Sequence, residues 1–393
     1  MTFSRADRSR LVTWWFTVDR VLLGAILVLV FVGLVLSLAA SPAVAVKKGL
    51  DPFYFFERHL LFSAAGVAIM LGLSLLSPSH IRRVAAILFL GSLAALVWVE
   101  VSGPVVNGSQ RWLYLGGLSI QPSEIAKPAV IMLLAWFFAE AVRRPDMPAL
   151  PIAVVIGGVL VGLLLAQPDV GQAVLVAATW GTLYLLAGLP LVGALVFVVL
   201  FTASGVAAYA MFGHVRLRVD AYLAADTERN SQADRALQSF MEGGFLGRGP
   251  GEGTIKTHFP DAHTDYIFAV VAEEYGSLAC LLLAALFGLI VVKAMIVALD
   301  EPRAANRLAI QGLAIVFGMQ ALINMGVNVG LLPAKGMTLP FLSAGGSSLL
   351  AISVTLGFLL AMTRRRADPA RHVIMPSASP SPGLSQHISP GRT

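Results

Sequence analysis

The sequence predicts an all-α polytopic integral membrane protein of about ten transmembrane helices, and three observations carry that reading. Of 393 residues, 57% are hydrophobic and only 13% charged, with a mean hydropathy of +0.80; a soluble chain usually carries about 25% charge. Apolar runs of spanning length recur along the chain, since a bilayer span needs roughly 20 apolar residues. Arginines gather in alternate loops between those runs. A large soluble catalytic domain is excluded. The single cysteine, Cys280, lies in an apolar run and can form neither an intramolecular disulfide nor a thiolate metal cluster. The net charge of +6 and pI of about 9.7 fit basic cytoplasmic loops more economically than nucleic-acid binding.

The first run, Val21 to Ala40, follows Arg5, Arg8, Arg10 and Arg20. It is longer than a signal-peptide core and more spans follow it, so it is read as a retained helix. The others are Leu60 to Leu76, Val84 to Val99, Ile125 to Ala139, Leu150 to Ala166, Ala173 to Gly188, Leu191 to Met211, Ile267 to Ala298, Leu308 to Leu332 and Phe341 to Met362. An even count puts both termini on one side. That side receives the N-terminal arginines, Arg82 with Arg83, Arg143 with Arg144, Arg303 with Arg307, and Arg364 to Arg366; the other short loops hold only Lys47, Lys48, Arg58, Arg111 and Lys335. The positive-inside rule makes both termini cytoplasmic. Residues 1–20 are then a cytoplasmic segment, 21–365 the transmembrane domain with a large extracytoplasmic loop at 212–264, and 366–393 a disordered tail rich in proline and serine. Within the large loop, Leu223 to Glu242 is poor in proline and glycine and suits a short interfacial helix, whereas Gly243 to Gly253 reads as loop.

The residues with chemistry lie on the outer side. Arg111, beside Trp112 and Tyr114, suits either an interfacial anchor or a phosphate ligand. Glu124 and Lys127 are three apart and share a helix face, which favours a structural ion pair. In Gln167-Pro-Asp-Val-Gly-Gln172, Asp169 either closes a tight turn or orients a ligand. Arg216 and Arg218 alternate, which suits anionic headgroups or snorkelling. Asp265 enters a hydrophobic helix from the loop, as a partly desolvated base or as an N-cap. Two turns deeper, Glu273 and Glu274 require partners, so at least one is expected to face a polar cavity. From Asn324 to Ser348, closely spaced Gly and Pro predict broken backbone at the membrane edge, with Lys335 projecting into an outer cavity or anchoring the loop.

Taken together, the Arg111-Trp112 loop with Gln121-Pro-x-Glu, Ala166-Gln-Pro-Asp-x-Gly171, Ala262-His-Thr-Asp-x-Ile-Phe-Ala269 with Glu273-Glu-x-Gly, and Asn324-x-Gly through Ser348 resemble the SEDS family of shape, elongation, division and sporulation proteins. Pro333-Ala-Lys-Gly-Met-Thr-Leu-Pro340 resembles its FtsW cell-division branch more than its RodA elongation branch. Ala344 stands where that branch commonly has tyrosine, and Val170 with Gln172 where Leu or Phe with Thr is usual.

The resemblance implies an enzyme, a peptidoglycan glycosyltransferase that polymerises lipid II at the division septum of the bacterial inner membrane beside a class B penicillin-binding transpeptidase. It implies a divalent cation, Mg2+ or Mn2+, and no organic cofactor. Asp265 matches the family's essential acidic position and is the expected general base. Arg111, Arg216, Arg218 and Lys335 are the expected phosphate partners, and Asp169, His263 and Ser347 the further substrate contacts. Transport of lipid II without chemistry, a non-catalytic divisome scaffold, and an elongation polymerase are the rival readings.

Overall fold

The computed structural model describes residues 9–105, 110–116, 118–211, 213, 216–217, 220, 232–258, 262–333 and 336–365. Among these, eight helices are long and apolar enough to cross a membrane: α2 (Arg20–Lys47), α3 (Tyr54–Ser74), α4 (Pro78–Ser102), α5 (Pro122–Arg143), α6 (Ala149–Ala166), α8 (Leu191–Met211), α10 (Ile267–Leu299) and α11 (Ala304–Asn328). Two shorter apolar helices, α7 (Val170–Leu186) and α12 (Gly346–Met362), accompany them. These correspond to the ten runs read from the sequence. Helices are the form such runs must take, because lipid offers no partner to a backbone N–H or C=O.

The other elements are short. α1 (Arg10–Thr17) was not anticipated; Ser9 caps it by accepting from the Val12 N–H at 3.3 Å. β1 (Leu113–Leu115) and β2 (Leu118–Ile120) form an antiparallel hairpin in the Arg111 loop. α9 (Gln232–Gly243) falls largely within the expected interfacial segment. A single 3-10 turn covers Ile255–His258.

The most buried helices are α5, α11 and α12, with α11 packed against α5 and α10, and α12 against α3. Small residues permit the close approaches, as membrane helix packing requires: a methyl group at Gly66 would come 2.3 Å from the Ser353 hydroxyl. α8 packs chiefly on α7, where Trp180 meets Phe197 edge-on at 4.9 Å. At the arginine-rich end, Arg364 donates to the Thr17 hydroxyl and the Leu75 carbonyl, both at 3.0 Å, tying the end of α12 to α1 and α3. Nearby, Lys293 pairs with Asp19 at 3.2 Å, which explains how α10 tolerates a lysine in its span.

The opposite end holds the irregular backbone. α10 breaks at Gly276, whose φ of 80° and ψ of 174° are open only to glycine. The outer loop fills this break. Ser277 N–H donates to the Gly244 carbonyl at 2.9 Å and Leu278 N–H to that of Phe245 at 3.2 Å, while Arg248 and Gly249 donate to the carbonyls of Glu273 and Glu274, both at 3.0 Å. Backbone groups freed by the kink are thereby satisfied inside the protein. Two predicted boundaries are corrected here. α11 stops at Asn328 rather than Leu332, and α12 starts at Gly346 rather than Phe341, whose φ of 61° lies outside any helix. The sequence between them is the broken stretch.

Candidate active site

Asp265 lies two residues before α10, half-buried, within a turn over residues 262–266. The N-cap position belongs to Tyr266, and no side chain of that residue caps the helix. The turn interlocks with the loop 336–345: Ala344 N–H donates to the His263 carbonyl at 2.8 Å, and the Ser343 hydroxyl to the Thr264 carbonyl at 2.5 Å. Gly336, at a φ of 63°, brings backbone beside the Asp265 carboxylate, 3.7 Å from where its own β-carbon would stand. His263 is buried, and its ring lies 4.5 Å from that of Phe55 at a 40° tilt. Burial, aided by the Lys48 charge, lowers its pKa to about 4, so it is neutral at pH 7.

A second cluster surrounds the turn between α6 and α7. Arg111 donates to the Gln167 carbonyl at 3.2 Å and to that of Pro168, and its guanidinium lies 3.6 Å from Asp169. Asp169, 3% exposed, also accepts from the Gln121 amide at 3.0 Å. Arg111 therefore anchors this turn, and any phosphate contact is in addition to that structural use.

Between the two clusters runs a buried polar chain. Gln172 donates to Glu124 at 2.5 Å, Glu124 pairs with Lys127 at 2.9 Å, Lys127 donates to the Gln320 amide oxygen at 2.9 Å, and Gln320 donates to the Thr338 carbonyl at 3.1 Å. A cavity of about 10 Å³, lined by Glu124, Lys127, Gln320 and Thr355 among apolar neighbours, adjoins it. The chain thus links the Asp169 turn to the loop beside Asp265.

Glu273 and Glu274 are both buried, and the partners expected of them come from the outer loop. Both oxygens of Glu273 accept main-chain N–H groups, from Ile255 at 2.7 Å and Lys256 at 3.0 Å. Glu274 pairs with Lys256, whose ammonium also reaches the Ala39 carbonyl at 3.3 Å. They fasten the outer loop to α10. Lys256 was missed in the sequence because nothing local marks it; Glu274 lies 18 residues away and Ala39 217.

Of the remaining expected contacts, Ser347 is buried in the first turn of α12, and Arg216 is exposed with its guanidinium 5.5 Å from the Tyr209 ring centroid. No contact joins Arg216 to the Asp265 cluster among the described residues. Arg218 and Lys335 lie outside the described residues. No three His, Cys, Asp or Glu side chains converge among the described residues. The described residues alone do not make a complete divalent-cation site.

A family model for FtsW, RodA and SpoVE, described as cell cycle protein, matches residues 19–368. The chain belongs to this family. A probable peptidoglycan glycosyltransferase FtsW of Caulobacter vibrioides (strain NA1000 / CB15N) is 43% identical over 365 residues, covering 93% of this chain and 94% of its own. Its counterpart in Halorhodospira halophila (strain DSM 244 / SL1) is 36% identical over 370 residues, covering 90% and 93%. Among solved structures, a chain of a peptidoglycan synthase complex that coordinates polymerization and crosslinking aligns with a TM-score of 0.72 at 31% identity, covering 88% of this chain and 97% of that one. The rod shape determining protein RodA of Thermus thermophilus aligns with a TM-score of 0.66 at 28% identity, covering 89% and 97%. The polytopic α-helical fold of this FtsW/RodA/SpoVE member is therefore that of its family, and its sequence lies on the FtsW side.

Proposed function

We propose that this FtsW/RodA/SpoVE family member is a peptidoglycan glycosyltransferase of the division septum that polymerises lipid II. The observation that carries the reading is Asp265: a half-buried carboxylate at the mouth of a broken helix, against a glycine-lined loop, on a bundle open to lipid on its flanks. The acceptor's 4-hydroxyl attacks the anomeric carbon of the donor, and undecaprenyl diphosphate leaves. A hydroxyl is a weak nucleophile, and Asp265 takes its proton as the bond forms. The departing diphosphate gathers negative charge, which Arg111, Arg218 and Lys335 are assigned to offset, while Arg216, exposed beside Tyr209, is assigned to anionic headgroups at the membrane surface. Because an α-linkage becomes a β-linkage, the displacement is a single step with no covalent enzyme intermediate. His263, neutral at pH 7, contributes shape and hydrogen bonding rather than charge.

The same reading puts both termini in the cytoplasm and the loop 212–264 outside, with a class B penicillin-binding transpeptidase as partner. Arginine asymmetry supports the orientation. Single cysteines at residue 230 and in the tail after residue 366 should react with an impermeant reagent from opposite sides; labelling from the same side overturns the topology.

Purified protein in vesicles, with its transpeptidase and Mg2+ or Mn2+ supplied, is expected to turn lipid II into glycan polymer on a gel. Movement of fluorescent lipid II across the bilayer with no polymer would establish transport instead.

A further inference from the structure

Gln320, Asn324 and Asn328 stand four residues apart on α11 and so share one face. All three are buried, at 1%, 2% and 0% exposure. Buried amides are costly unless each polar atom finds a partner, and in a membrane-spanning helix that demand is strict. All three donate to main-chain carbonyls of the outer loops, and Asn328 also to the Asn324 carbonyl of its own helix at 2.9 Å. Gln320 takes Thr338 at 3.1 Å; Asn324 takes Met337 at 2.6 Å and Asp265 at 3.0 Å; Asn328 takes Asp265 at 3.0 Å.

Asn328 does more than donate. Its amide oxygen accepts the Ala269 N–H at 3.1 Å. Asp265 and Ala269 are four apart, so their carbonyl and N–H are the pair that a regular helix would join directly. Asn328 occupies both ends of that missing bond, sharing the Ala269 N–H with the Tyr266 carbonyl, which that N–H also meets at 3.1 Å. The side chain of α11 thereby holds Asp265 out of the first turn of α10, the helix before it, against the loop 336–345.

We infer that Asn328, assisted by Asn324, is a positioning residue for Asp265: it fixes the Asp265 backbone outside α10 so that the carboxylate faces the reacting hydroxyl. The inference rests on Asp265 being the base. A displaced base weakens the chemical step more than ground-state binding, and misplacement of about 1 Å can cost on the order of 100-fold.

The test is a kinetic cycle on full-length protein with lipid II. Asn328→Ala is expected to lower kcat about 10- to 100-fold with KM for lipid II changed no more than about threefold. In an Asp265→Asn background the same change should be silent, because there is no base left to misplace. A wild-type kcat per folded molecule for Asn328→Ala, or a double variant that falls by the full factor of each single change, overturns the inference. A merely structural asparagine would lower the melting temperature and the yield of active enzyme without touching kcat per folded molecule. Where the alanine variant fails to fold, Asn328→Ser carries the same test, since its hydroxyl is too short to span both groups. Failure of the base reading looks different: Asp265→Asn alone would then be active.

Discussion

Asp265→Asn is expected to remove most polymerisation while leaving the protein folded and lipid II bound. The carboxamide keeps the size of the side chain and most of its hydrogen bonding but cannot accept a proton, and general-base contributions are typically about 10²- to 10⁴-fold. The fold should hold because the loop around Asp265 is secured by main-chain contacts: its own carbonyl is held by Asn324 and Asn328, and its neighbours' carbonyls by Ser343 and Ala344. Single-turnover rates, with the affinity for fluorescent lipid II and the melting temperature measured in parallel, check this. A folded Asp265→Asn protein that makes polymer at near-normal rate removes Asp265 as the base, and Asp169 or Glu273 becomes the next carboxylate to neutralise.

Glu124→Gln should produce the opposite pattern. Glu124 and Lys127 are 4% and 2% exposed and pair at 2.9 Å inside the bundle. Neutralising Glu124 leaves the Lys127 ammonium with the Gln320 amide oxygen and no counter-charge of comparable closeness. Breaking such a buried pair costs about 3–5 kcal/mol. The carboxamide can still accept from Gln172, which puts the expected loss near the lower end, about 3 kcal/mol. The result is a lower melting temperature and less monodisperse protein, with near-normal turnover per folded molecule. Glu124→Gln combined with Lys127→Met should recover part of the stability, because no unpaired charge remains buried. Normal melting with lost turnover would instead move Glu124 into the chemistry.

These contrasts follow from what the sequence expresses locally. The ten membrane helices were legible because each apolar run is its own signal, and Glu124 with Lys127 because three residues separate partners on one helix. The same holds for the richness of the outer edge, where Asp265, the Glu273-Glu274 pair and the glycine-rich loop stand out in an apolar chain. What was not legible depends on pairs far apart in sequence. Lys256 meets Glu274 only because the outer loop folds back into the break at Gly276. Arg111 is drawn to the carbonyls of Gln167 and Pro168, about 56 residues away, which no charge pattern announces. Gln172, unusual for the FtsW branch at that position, found its role only beside Glu124. The amide face of α11 was readable in principle: Gln320, Asn324 and Asn328 recur every four residues in the otherwise apolar stretch from Leu313 to Asn328. The dense Gly and Pro beyond it are the stronger local signal.

The most direct measurement counts bonds. Lipid II labelled in its diphosphate and in its sugar is given to the purified protein, and released undecaprenyl diphosphate is compared with new β-linkages as polymer accumulates. The account predicts one diphosphate released per β-linkage made, with no sugar trapped on the protein, and both rates falling together in Asp265→Asn. Diphosphate release without polymer, a sugar covalently retained by the enzyme, or equal rates in the wild-type and Asp265→Asn proteins would contradict it.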